Sequence, residues 1–82
     1  MEILIYTTSG CFYCDQAKKL CERANVDSQT KEIGINITRE DFTTLYPLVK
    51  AYPYVIIDGK EIGGLVETAK LFLKKGLVSV NK

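Results

Sequence analysis

The stretch "TTSGCFYCDQAKKLC" places Cys11 and Cys14 three positions apart and Cys21 seven further on, in a chain of 82 residues with no histidine. Thiols in this number are staples, metal ligands or the reacting groups themselves. A closed zinc site takes four Cys or His ligands; three cysteines would need a carboxylate or a second subunit to complete the set. The missing histidine also excludes a Cys–His nucleophile pair, so backbone or lysine must activate a thiol here. The start "MEILIYTT" has neither the basic region nor the long apolar run of an export signal. The expected compartment is therefore a reducing cytoplasm, where a cysteine pair is catalytic or metal-binding more often than structural.

The flanking elements decide what the pair can do. "EILIYTT" (2–8) is β-branched and aromatic and reads as a buried strand; Ser9-Gly10 breaks it. A helical pattern then runs from about Phe12 to Ala24, with Tyr13, Ala17, Leu20, Cys21 and Ala24 on one face, Asn25 as a left-handed stop and Val26 as the apolar residue after it. Cys11 thus falls at or just before the first helical residue and Cys14 one turn inside. At that separation the two Cα atoms lie roughly 5–6 Å apart, within disulfide range. The bare N–H groups and positive end of the helix favour a thiolate at Cys11 and lower its pKa. Cys11 is reachable from the loop while Cys14 is partly covered, an arrangement suited to thiol–disulfide exchange. Cys21 lies about 10 Å along the axis from Cys14, from the 1.5 Å rise per residue, beyond a disulfide's span. It is expected to be a small buried hydrophobe.

Further along, a weaker strand is expected over 30–35. "NITRED" starts a short helix capped by Thr38, with Asp41 at the capping-box position and Ile37 stapled onto Phe42; it should end by Tyr46, ahead of Pro47. Pro53 opens the strand "YVII" (54–57), and "DGKEIGG" reads as an Asp58-Gly59 hairpin, a strand at 60–62 and a Gly-Gly turn. "LVETAKLFLKKG" is a last amphipathic helix, apolar at Leu65, Ala69, Phe72 and Leu73 and stopped by Gly76. The order β-α-β-α-β-β-α predicts an α/β domain over residues 1–82, with a mixed four-stranded sheet and helices on both faces.

Composition narrows the partners. A net charge of +1 gives no footprint for nucleic acid or an anionic membrane surface. Runs such as "YVII" are too short to span a bilayer. With 46% apolar residues and mixed charge, the chain should fold.

Taken together, the cysteine pair after a strand, the proline opening a later strand and the Gly-Gly before the last helix resemble the glutaredoxin family over about residues 2–76. "GCFYCDQAK" looks like the family's G/T-C-P-Y-C-x-x-A-K, and "YPYVIIDGKEIGG" like its T-V-P-x-x-F-I-D-x-x-x-I-G-G. The resemblance implies a thioredoxin fold with strand order 2-1-3-4. It also implies reduction of protein disulfides and glutathione mixed disulfides, with glutathione as co-substrate and no tightly bound cofactor or metal. By position, Cys11 is the nucleophile and Cys14 the resolving thiol. Tyr13 flanks the site, the backbone of Tyr52 before a cis Pro53 pairs with glutathione, and Gly64 with Leu65 at the start of the last helix receives its γ-glutamyl end. The sequence departs from the family pattern at Phe12, at Thr8, at Ala51-Tyr52 and at Val66. Thr8 and Val66 stand where a basic and an acidic residue often contact glutathione.

Two other functions fit the same residues. One is a thioredoxin-like redoxin reduced directly by a flavoprotein reductase and serving ribonucleotide reductase. The other is a carrier in which two chains hold an iron–sulfur cluster through Cys11 and glutathione. Cys14 argues against the carrier, because the family's dedicated carriers tend to have a single cysteine. The leading expectation is a monomeric glutathione-dependent enzyme of the cytoplasm.

Overall fold

In the computed structural model, which describes residues 1–78, seven elements follow one another in the expected order. They are β1 (Ile3–Thr7), α1 (Phe12–Arg23), β2 (Ser28–Glu32), α2 (Arg39–Leu45), β3 (Tyr54–Ile57), β4 (Lys60–Gly63) and α3 (Leu65–Lys74). Residues 79–82 of the expected domain lie outside the described residues. The strands form a single four-stranded sheet in the order β2-β1-β3-β4, β1 parallel to β2 and antiparallel to β3, β3 antiparallel to β4.

Alternation along β1 divides the core in two. Ile3 and Ile5 join Val55 and Ile57 on one face, under Ala17, Cys21 and Ala24 of the α1 segment and Phe72 of α3. Tyr6 and Ile56 point to the other face, against Phe42 of α2 and Ile33. The helices therefore cover both faces, as strands buried on both sides require.

Local chemistry explains where elements begin and end. The N–H of Asp41 donates to Thr38 Oγ1 at 3.0 Å, and Ile37 packs into the Phe42 cluster, so cap and staple both start α2. At the end of α1, Asn25 is left-handed (φ 57°), and the N–H groups of Asn25 and Val26 donate to Glu22 and Cys21 carbonyls at 3.1 Å each. That is a Schellman stop. Asp58 (φ 52°) and Gly59 (φ 81°) both take positive φ, as a two-residue hairpin of the I′ type requires.

Three expectations are corrected. β2 runs over Ser28–Glu32 rather than 30–35, because its register is set by β1, from Ile3 opposite Ser28 to Thr7 opposite Glu32. Its residues are polar and exposed apart from half-buried Glu32, and the chain turns at once: the Gly34 N–H donates to the Ile37 carbonyl at 2.7 Å. On α1 the inward stripe is Cys14, Ala17, Cys21 and Ala24, and Tyr13, about 100° away around the helix, is 60% exposed. On α3 Thr68 is buried beside Phe72, while Leu73 faces out. The Thr68 hydroxyl donates to the Gly64 carbonyl at 2.8 Å, which removes the cost of burying it.

Candidate active site

Gly10 has φ +71°, a conformation that L side chains rarely adopt, and this lets β1 turn sharply into α1. The turn leaves Cys11 as the N-cap of α1, with extended backbone (φ −93°, ψ 110°). Cys11 and Cys14 are joined by a disulfide with Cα atoms 5.2 Å apart, inside the expected range. Cys14 is buried at 2% exposure, and Cys11 is half-exposed. The Cys14 N–H points at Cys11 Sγ from 3.1 Å. Sulfur takes the place of the oxygen that usually caps a helix, so a bare helical N–H is directed at Cys11 rather than at Cys14.

The opposite side of Cys11 faces the start of β3. The Tyr52–Pro53 peptide bond is cis, and Cys11 Sγ lies 3.8 Å from the Tyr52 carbonyl oxygen. From this point an open groove of about 750 Å³ runs between the 45–53 segment and the Gly63–Glu67 corner. Tyr13, Tyr52, Pro53, Gly64 and Leu65 all line it, so the structure brings the sequence-identified residues together beside the disulfide. The Gly64 N–H already donates to Glu67 Oε1 at 3.1 Å, half of a capping box, since glycine has no side chain for the return bond. The next N–H groups, from Leu65 onward, start the helix without an intrahelical partner.

Sequence reasoning missed the groove's floor and far wall. Tyr46, Tyr54 and Glu61 line it together with Leu45 and Leu48. The Tyr54 hydroxyl donates to the Glu61 carboxylate. Burial first, then the bond to Glu61 and its charge, pushes the Tyr54 phenol up to about 12. One signal for these residues was available. Tyr54 alternates with buried Val55 and so had to face α2.

Cys21 takes no part. It is free, 1% exposed and packed among Ile3, Ile5 and Phe72, and burial pushes its thiol up. Cys21→Ala should leave activity intact and cost about 1 kcal/mol, the loss for trimming one small buried group. Thermal melting and turnover together check this; lost turnover in a folded Cys21→Ala would contradict it.

Comparison with known proteins gives the same assignment. The glutaredoxin family model matches residues 3–62. Glutaredoxin 1 of Rickettsia conorii is 34% identical over 65 residues, 76% of this chain, and the match spans 63% of that relative's length, less than two thirds. Glutaredoxin 1 from Francisella tularensis, solved in complex with cacodylate, superposes with a TM-score of 0.72 at 27% identity over 93% of this chain and 95% of that one. Reduced Escherichia coli glutaredoxin superposes with a TM-score of 0.65 at 33% identity over 94% and 98%. The sheet order is that of a thioredoxin-like fold. With most of its length matched by the family model and the disulfide at the head of α1, this chain belongs to the glutaredoxin family.

Proposed function

We propose that the protein is a glutathione-dependent thiol–disulfide oxidoreductase acting on protein disulfides and glutathione mixed disulfides. One observation carries this reading: a half-exposed Cys11 that receives the Cys14 N–H at 3.1 Å, with Cys14 buried behind it. In the dithiol form that N–H stabilises a Cys11 thiolate, the species that attacks disulfides. The thiolate bonds to one substrate sulfur and the other leaves as a thiolate, which takes up a proton. Cys14 then loses its proton and attacks Cys11 Sγ, releasing the second substrate thiol and closing the Cys11–Cys14 disulfide. Two glutathione molecules return the dithiol and leave as glutathione disulfide, so electrons and protons balance.

Along the groove, the Tyr52 backbone pairs with the glutathione main chain beside Cys11 and Tyr13 flanks it. A glutathione carboxylate meets the N–H groups at the start of α3, from Leu65 onward, where the helix dipole favours an anion. Thr8 and Val66 carry no charge, so binding rests on backbone groups and shape. In this reading the protein works as a monomer in the cytoplasm; no described helix is long and apolar enough to cross a membrane.

The test is the electron donor. Reduction of a small mixed disulfide should proceed with glutathione and its reductase and fail with thioredoxin reductase. The reverse result would replace this reading with the directly reduced redoxin.

A further inference from the structure

We draw no further inference here: the strongest candidate, the open cavity of about 600 Å³ between the starts of β1 and β2 and the β3–β4 turn, lined by Leu4, Asp27, Gln29 and Ile56, carries none because nothing in the structure shows what covers it.

Discussion

Cys11→Ser should reduce exchange with every substrate to the uncatalysed background, while Cys14→Ser should lose protein disulfides and keep glutathione mixed disulfides. The asymmetry follows from where the two sulfurs sit. Cys11 is half-exposed at the helix start with the Cys14 N–H directed at it from 3.1 Å, whereas Cys14 is 2% exposed on the inward face of α1. Only the first can meet a substrate and be held as a thiolate. Serine cannot replace it, because an alcohol at neutral pH is neither ionised nor a disulfide former. Without Cys14, a glutathione mixed disulfide on Cys11 still has a resolving partner, since a second glutathione attacks it from solution. A protein substrate held on Cys11 has no internal thiol to release it, and the mixed disulfide accumulates. Turnover on both substrate classes, with mass spectrometry of the trapped species, checks this. Equal loss of both activities in Cys14→Ser would undo the assignment of nucleophile and resolver.

What the sequence made legible was local. β1, β3 and the hairpin carry β-branched runs and an Asp-Gly turn, and the α1 stop depends on one residue, Asn25, whose preference for left-handed backbone is intrinsic. β2 was misplaced for the opposite reason. "SQTKE" has no apolar face, and Ile33 and Ile35 beyond it look more like a strand. Nothing within the segment marks it as a strand; pairing with β1 does. The α3 stripe misled in a similar way. Thr68 enters the core only because a carbonyl one turn back accepts its hydroxyl, which hydropathy does not record.

The site divides along the same line. Two cysteines at a helix start are three residues apart, so their geometry is settled by one turn of backbone. The groove is assembled from the 45–53 segment, β4 and the head of α3, brought together by the sheet. Composition cannot tell that Leu48 stays exposed while Phe42, six residues before it, is buried. The motif reading located the groove's near end through Tyr52, Pro53 and Gly64, and could not reach its far end.

The largest stability loss should come from Phe42→Ala and Phe72→Ala, and only the first should also disturb the groove. Both rings are buried, at 1% and 0% exposure, and truncating a buried phenylalanine costs about 3–5 kcal/mol. A domain this size is stable by about 4–12 kcal/mol, so either change consumes a large share of the margin. Their surroundings differ. Phe72 packs with Ile5, Val55 and Cys21 on the opposite face of the sheet from Phe42. Phe42 stands at the centre of an aromatic cluster, its ring centroid 4.9 Å from Tyr6, 5.4 Å from Tyr46, 5.6 Å from Tyr52 and 6.3 Å from Tyr54. Three of those rings line the groove, so losing Phe42 frees Tyr52 beside Cys11 as well as the floor formed by Tyr46 and Tyr54. Urea unfolding measures the first effect. The second appears in KM, determined at a temperature where each variant is folded, with Phe42→Leu as the milder change. Phe42→Ala and Phe42→Leu should raise KM, while Phe72→Ala should lower stability with KM unchanged once the folded fraction is counted. If the Phe42 and Phe72 variants show the same KM, the aromatic cluster supports the fold without positioning the groove.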